Sequence, residues 1–164
     1  MDDRRLLELA DRYLAEYLSK IERATAGIDD RQLWWRANER SNSIANLLIH
    51  LRGNLSQWIL GGLAGEPVVR HRGAEFAARS GTGRDELLAA LAETVARCRQ
   101  AIGRLDAADL RATRSIQTYD IDGHGALFHA VEHMSYHVGQ IVQLAKVLLP
   151  PTAELEFYPQ HRDE

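Results

Sequence analysis

Hydrophobic residues recur at three- and four-residue spacings along four long segments of the chain, which is the period of an amphipathic α-helix. These segments predict helices over about residues 2–25, 41–62, 83–103 and 123–149. No segment alternates convincingly between apolar and polar residues, so no strand is predicted. Helices of this length would span roughly 30 to 39 Å. We therefore predict an all-α fold, a four-helix bundle, formed by a single domain over residues 1–164.

Shorter signals mark the ends and connections of these helices. Residues 82–85, Thr-Gly-Arg-Asp, resemble a capping box, which predicts that the threonine caps the third helix. The connection over 105–123 is long for a bundle, a feature typical of functional segments, and we expect residues 109–114 to form one more helical turn in it. We also expect Phe157 and Tyr158, which follow the last helix, to pack back on the bundle.

Composition and charge exclude several classes of protein. The chain is 45% hydrophobic and 26% charged, which excludes an intrinsically disordered chain. Its net charge is −3, and no basic footprint is evident, so we expect no nucleic-acid partner. The longest apolar candidate, 44–63, is interrupted by polar residues, and no signal peptide is evident, so we expect no membrane partner. Cys98 is the single cysteine, which favours a cytoplasmic location, and its apolar neighbours favour a buried thiol over a reactive one.

A polar but uncharged stripe runs beside the apolar positions of the second helix. It consists of Asn46, His50, Asn54 and Gln57. A solvated helix face would normally carry Lys, Arg or Glu, so a stripe of amides and one histidine predicts partial burial.

Three of the seven histidines, His129, His133 and His137, fall at intervals of four on the fourth helix. This spacing places their side chains on one face, and adjacent members can bind one metal ion because their ring nitrogens converge one turn apart. The alternative is that they are partly exposed polar residues or core residues with satisfied hydrogen bonds. Gly139 lies in the middle of the same helix and costs about 1 kcal/mol relative to Ala, so we expect it to serve a close-packing contact.

The first two of these histidines also fit a different zinc motif. The run His129-Ala-Val-Glu132-His133 matches His-x-x-Glu-His, the inverted signature of zinc proteases, in which Glu132 would be the general base. The chain is short for a protease and offers no convincing acidic ligand on a further helix. We therefore interpret Glu132 as a flanking residue on a different helix face.

Four motifs together give the chain a specific resemblance to a known family. They lie at Asn42–Asn54, Arg70–Phe76, His133–Ile141 and Phe157–Pro159. In these motifs, and over nearly its whole length, the chain resembles the DinB-like (YfiT-like) superfamily, and within it an uncharacterised branch. The resemblance implies a four-helix bundle of the DinB-like type that binds a divalent metal ion, commonly zinc or nickel, through three histidines.

Carried over by position, the resemblance implies that His50, His133 and His137 are the metal ligands. It leaves the roles of three other histidines open: His71, His124 and His129. Because His71 stands where the branch more often has an acidic residue, the loop that contains it gives no guide to specificity.

The chemistry of such a site follows from its ligands. Three neutral imidazoles leave a divalent ion with its full charge and at least one open coordination position, which is typical of catalytic rather than structural zinc sites. A water or a thiol bound there is acidified, so both hydrolysis and thiol transfer fit. Known members of the superfamily include bacillithiol- and mycothiol-dependent transferases, so the resemblance admits a low-molecular-weight thiol as cosubstrate.

Further polar residues are candidates for contacts beyond the ligands. Asn46, Asn54, Tyr136 and Gln140 would orient ligands or substrate. Arg70, with its neighbour Arg72, would attract an anionic substrate. The alternatives are helix–helix hydrogen bonds for the first four and a solvated loop for the arginines.

Three hypotheses follow from the sequence. The first is a metal-dependent enzyme that acts on a small molecule by thiol transfer or hydrolysis. The second is a non-catalytic, stress-associated bundle that binds metal. The third is a bundle whose role is dimerisation through an apolar outer patch near Trp34 and Trp35, and in either of the first two cases a homodimer is the expected assembly.

Overall fold

The computed structural model describes residues 2–153, 155 and 157, and it is mostly helical. Its long helices are α1 (Asp3–Thr25), α3 (Ile44–Leu55), α5 (Arg84–Ile102) and α7 (Gly123–Leu148). Its shorter elements are α2 (Asp30–Leu33), α4 (Arg72–Ala77), α6 (Ala107–Arg111), and the strands β1 (Thr113–Ile116) and β2 (Tyr119–Asp122).

The four long helices pack in a ring, in which α1 and α3 each contact both α5 and α7. Each helix buries its apolar stripe at the centre of this ring, where it is removed from water. Fully buried members of the stripes include Leu14 and Ile21 from α1, Leu48 from α3, Leu91 from α5 and Ile141 from α7. The structure therefore confirms the predicted all-α bundle.

Two helix starts differ from the sequence prediction. Ser43 caps α3, so this helix begins slightly later than expected. The capping box expected at Thr82 does not form, because Gly83 occupies the N-cap position of α5 without a side-chain cap. Instead, Asp30 Oδ1 in α2 accepts a hydrogen bond from the Arg84 backbone N–H at 2.9 Å. A carboxylate from a distant element thus replaces the local cap.

The expectation of an all-helical chain without strands is wrong in the connection over 105–123. The turn expected at 109–114 forms slightly earlier, as α6, and β1 and β2 then pair as an antiparallel hairpin. The hairpin turns at Gln117, which has a φ of 57°. Each strand has only four residues, which is too short to show a period-two pattern, and the turn lacks the Asn-Gly signature of tight hairpins.

The second predicted helix is continuous but not uniform. After α3 the chain continues without a break as a π-helical segment, Ser56–Leu63. Segments of this kind frequently occur at functional sites. Gly62 in this segment contacts Ile116 of the hairpin so closely that a Cβ at this position would clash with the isoleucine side chain. The glycine therefore allows the hairpin to pack on the bundle.

The close-packing role expected for Gly139 is also wrong. A Cβ added at Gly139 would meet no atom within 4 Å, so this mid-helix glycine faces open space. Phe157 packs against the core as expected, whereas Tyr158 lies outside the described residues.

Cys98 is fully buried in α5, as its apolar neighbours predict. Burial raises the pKa of its thiol to about 12, so the residue is not a reactive nucleophile. Among the helices of the described residues, none combines the length and apolar character needed to cross a bilayer.

Candidate metal centre

The structure brings together three histidines from two helices. His50 lies on α3, and His133 and His137 lie one turn apart on α7. One ligand atom from each residue can be chosen so that all three lie within 4.8 Å of one another. The Nε2 atoms of His50 and His133 are 3.2 Å apart. Two nitrogens bound to one tetrahedral zinc ion lie about 3.3 Å apart, so this spacing matches a shared ion.

A buried carboxylate fixes which ring nitrogen of His50 faces the cluster. The side chains of His50 and of Glu75, which lies on α4, are 3% and 8% exposed. His50 Nδ1 lies 2.8 Å from Glu75 Oε2. Arg70 Nη2 lies 3.0 Å from the same Nδ1 but has a shorter contact, 2.8 Å, with Glu75 Oε2, to which it donates. Because a carboxylate only accepts hydrogen bonds, Nδ1 carries the proton and donates it to Glu75, which leaves the lone pair of Nε2 free for a cation.

Arg70 completes the support of this carboxylate. Its Nε donates to Glu75 Oε1 at 2.7 Å and its Nη2 donates to Glu75 Oε2 at 2.8 Å. Burial alone would raise the pKa of Glu75, but the hydrogen bonds from Arg70 and His50 outweigh burial and lower the pKa to about 2. The carboxylate is therefore ionised at neutral pH and balances the arginine charge.

A glycine on α3 makes room for this pair. A Cβ at Gly53 would clash with Glu75 Oε1 and lie 2.8 Å from Arg70 Nε. Only a residue without a side chain lets the charged pair lie directly on the helix backbone beside His50.

The ligand atom of His137 is fixed by a neighbour on its own helix. His137 Nδ1 lies 2.7 Å from Gln140 Oε1, so Nδ1 donates to the amide oxygen when the amide is oriented in this way, and Nε2 is free. Tyr136 contributes differently, because the residue is 60% exposed and its ring meets the His137 ring edge-on at 5.1 Å. Of these two candidates, only Gln140 makes a hydrogen bond that orients a ligand.

The electrostatics of the cluster favour neutral imidazoles. Burial lowers the pKa of His133 to about 3, and the neighbouring His137 and His50 add to this shift. Burial also lowers the pKa of His137, although its hydrogen bond with Gln140 acts in the opposite direction. These rings are neutral at pH 7, which is the state that binds a divalent cation. Because His133 Nδ1 is buried without a hydrogen-bond partner, a polar atom at the site is left unsatisfied.

Asn46 does not reach the histidines directly but holds the segment that carries Glu75. It is fully buried, and its Nδ2 donates to the backbone oxygens of Glu75 at 2.8 Å and Ala78 at 3.1 Å. Arg36, which the sequence interpretation missed, donates to Asn46 Oδ1 and to the same Ala78 oxygen. The two side chains therefore fix the end of α4 against α3.

A cavity of about 650 Å³ lies beside the cluster, with His50 and His133 in its wall. Asn54 of α3 and Trp58 of the π-helical segment that follows it line the cavity, and the hairpin tip, residues 117–119, lines it from another side. Further lining residues are Arg70, Arg72 and His129.

The other three histidines of the described residues lie outside the cluster. The His129 ring lies against the Trp58 ring at a centroid distance of 4.0 Å, tilted by 43°. His124 contacts Asp3 on α1, and His71 is exposed. Glu132 is exposed on another face of α7, which disfavours the protease interpretation.

The largest omission of the sequence interpretation is Glu75. It lies in the motif Arg70–Phe76 that carries part of the family resemblance, but no spacing in the sequence links it to His50. Trp34, near which an apolar outer patch was expected, instead donates its indole N–H to the Thr82 backbone oxygen. Trp35, the second tryptophan of the expected patch, is 39% exposed.

Comparisons with known proteins identify a family but no activity. A family model described as "Protein of unknown function (DUF1572)" matches residues 3–154. No curated protein matches the chain. A solved structure described as the conserved protein of locus from Enterococcus faecalis is similar with a TM-score of 0.70 at 16% identity, covering 86% of this chain and 95% of that chain. At this identity the similarity shows a shared fold alone.

Proposed function

The chain belongs to the DUF1572 family of proteins of unknown function, and we propose that it is a divalent-metal-dependent enzyme that acts on a small molecule. His50, His133 and His137 are the proposed ligands, and zinc or nickel is the proposed metal. The reaction is hydrolysis or thiol transfer, with a low-molecular-weight thiol as cosubstrate in the second case. The resemblance to the DinB-like superfamily supports the same ligand set.

One observation carries the metal proposal. The Nε2 atoms of His50 and His133 face each other at 3.2 Å, while Glu75 occupies Nδ1 of His50. Gln140 likewise occupies Nδ1 of His137. Hydrogen bonds to the outer nitrogens of clustered imidazoles are typical of metal sites, because they orient the rings and direct the inner lone pairs at one point.

A second observation favours an enzyme over a metal carrier. In the described part of the chain the cluster contains three ligands, all histidines. Structural zinc sites are normally closed by four ligands. His50 and His133 also line the cavity of about 650 Å³, which falls within the size range of small-molecule sites.

The chain's own residues supply positioning and charge for such a reaction. A divalent ion held by three neutral imidazoles acts as a Lewis acid that acidifies a bound water or thiol. Glu75 and Gln140 hold two of the rings in one tautomer, so the ligand lone pairs are oriented before the ion binds. Arg70 keeps the Glu75 carboxylate ionised, and the cavity offers room for substrate beside the ligands.

Metal analysis tests the ligand assignment. Protein purified without a histidine tag is compared with His50→Ala, and His71→Ala serves as the matched control because His71 is exposed and outside the cluster. We expect about one equivalent of zinc or nickel in the wild type and the control, and a loss in His50→Ala. Unchanged metal content in a folded His50→Ala variant contradicts the assignment.

Turnover assays separate the enzyme from its alternative, a non-catalytic, stress-associated metal-binding bundle. Metal-loaded protein is screened with electrophiles in the presence of several low-molecular-weight thiols, and with esters and amides in their absence. We expect turnover that requires the metal and disappears in His50→Ala. Full metal loading without turnover in any assay favours the alternative.

A further inference from the structure

We infer that the cavity beside the three histidines binds a small anion that carries both a carboxylate and an amide or hydroxyl group. Arg72 would pair with the carboxylate, and Asn54 and Trp58 would bond the neutral polar group. This inference rests on the proposed function, because it takes this cavity as the substrate pocket of the same site.

Charge is the first argument. The residues that line the cavity include Arg70 and Arg72 but no aspartate or glutamate. Arg70 is neutralised by Glu75, with which it makes a buried ion pair. Arg72 is exposed over the Phe76 ring at 5.0 Å, and no carboxylate of the described residues lies within ion-pair distance of its guanidinium. One cationic side chain at the cavity is therefore uncompensated, and a divalent ion would add to this positive charge.

Unpartnered polar atoms are the second argument. In the described part of the chain, four buried side-chain nitrogen or oxygen atoms lack a hydrogen-bond partner, and three of them belong to residues that line this cavity. They are Asn54 Oδ1, Trp58 Nε1 and His133 Nδ1. Buried polar groups are normally paired, so a concentration of such atoms around one cavity indicates a binding site.

The types of these atoms indicate the chemistry of the ligand. Asn54 and Trp58 both line the cavity and are 3% and 2% exposed, and the Asn54 oxygen and the indole N–H have no hydrogen-bond partner among the described residues. The indole N–H only donates, and the Asn54 oxygen only accepts. An amide or hydroxyl group offers an acceptor and a donor together, and it satisfies the asparagine in either orientation of its amide.

The test uses N-acetylglycine, which carries an amide and a carboxylate, and N-acetylglycinamide, which is its neutral counterpart. Each is titrated into ¹⁵N-labelled, zinc-loaded protein while the indole N–H resonances of Trp34, Trp35 and Trp58 are followed by NMR. We expect millimolar affinity for N-acetylglycine, with a shift at Trp58 and none at Trp34, whose N–H is already bonded to Thr82. N-acetylglycinamide should bind about tenfold more weakly.

Variants assign the contacts. Arg72→Gln should weaken N-acetylglycine binding by about tenfold and leave N-acetylglycinamide unchanged. Arg31→Gln changes an exposed arginine that does not line the cavity, so it should alter the binding of neither probe. Trp58→Phe keeps an aromatic ring but removes the donor, so it should weaken both probes by about fivefold. Asn54→Ala removes the acceptor oxygen, so it should also weaken the binding of both probes by about fivefold.

The outcomes keep the two proposals apart. The inference is overturned if zinc binds but the Trp58 resonance does not shift, if both probes bind equally, or if Arg72→Gln has no effect. Any of these results leaves the proposed function standing. A protein that binds neither zinc nor nickel but still prefers N-acetylglycine, with loss in Arg72→Gln, supports the inference and contradicts the proposed function.

Discussion

Replacing the buried carboxylate that supports His50 should weaken metal binding without removing a ligand. In Glu75→Gln the amide is similar in shape to the carboxylate, but it carries no charge and has one acceptor oxygen. The wild-type carboxylate accepts from His50 Nδ1 at 2.8 Å and from Arg70 at 2.7 and 2.8 Å. Loss of an outer partner of this kind typically lowers metal affinity by about 10- to 100-fold, or about 1.4 to 2.7 kcal/mol.

The same change should also destabilise the fold, for a separate reason. The Arg70 side chain is only 5% exposed, and in Glu75→Gln its charge has no counterion. Removing one partner of a buried ion pair lowers the free energy of unfolding by about 3 to 5 kcal/mol. The glutamine in Glu75→Gln keeps one oxygen that can accept from Arg70, so its cost should lie near the lower limit. A domain with about 5 to 15 kcal/mol of stability remains folded.

Competition with a chromophoric chelator measures the zinc affinity, and urea unfolding of the metal-free protein measures the stability. Glu93→Gln is the matched control, because Glu93 is an exposed glutamate on α5. The double variant Glu75→Leu/Arg70→Met removes both charges, so it should regain stability while zinc affinity stays reduced. A folded Glu75→Gln variant that binds zinc within about twofold of the wild type refutes the assigned role of this carboxylate.

Three further changes test other parts of the structure. Gly53→Ala gains about 1 kcal/mol in helix propensity, but its Cβ would displace the Glu75–Arg70 pair, so zinc affinity in the same competition assay should fall. Burial raises the pKa of the Cys98 thiol from 9.0 to about 12 in the folded protein. Between these two pH values only the unfolded chain loses the thiol proton, so the free energy of unfolding is at its full value below pH 9 and falls as pH rises toward 12. In urea unfolding near pH 10, wild-type stability should therefore fall by about 1.4 kcal/mol relative to its value below pH 9, and the stability of Cys98→Ala should not. Gly139→Ala meets open space, so thermal unfolding should show stabilisation of up to about 1 kcal/mol, and destabilisation would reveal a contact at this face.

The parts of the fold that the sequence predicted are those with long, local signals. Four stripes of apolar residues specify the long helices, because a period of 3.6 is recognisable over five or more turns. The hairpin shows no such signal, since its strands are four residues long and Gln117 stands at the turn position with positive φ. The cap of α5 was predicted wrongly because Asp30, its true partner, is distant in the chain.

The candidate site also contains residues that a local sequence pattern indicates and residues that no such pattern indicates. His133 and His137 are visible from the sequence because a spacing of four places them on one helix face. His50 lies 83 residues from His133, and only the uncharged character of its stripe, together with the family resemblance, indicated its part in the site. Glu75 lies in a helix of six residues, and its contact with His50 depends on packing that no local pattern encodes.

The segment over 70–78 connects the two proposals physically. Helix α4 is too short to be stable alone, so its position depends on the hydrogen bonds that Asn46 and Arg36 make to its backbone oxygens. The segment carries Glu75, which fixes the tautomer of His50, and it also carries both arginines that line the cavity. Movement of this one segment would therefore change the orientation of a ligand and the charge of the cavity together, and we expect a change at α4 to alter metal affinity and anion affinity in parallel.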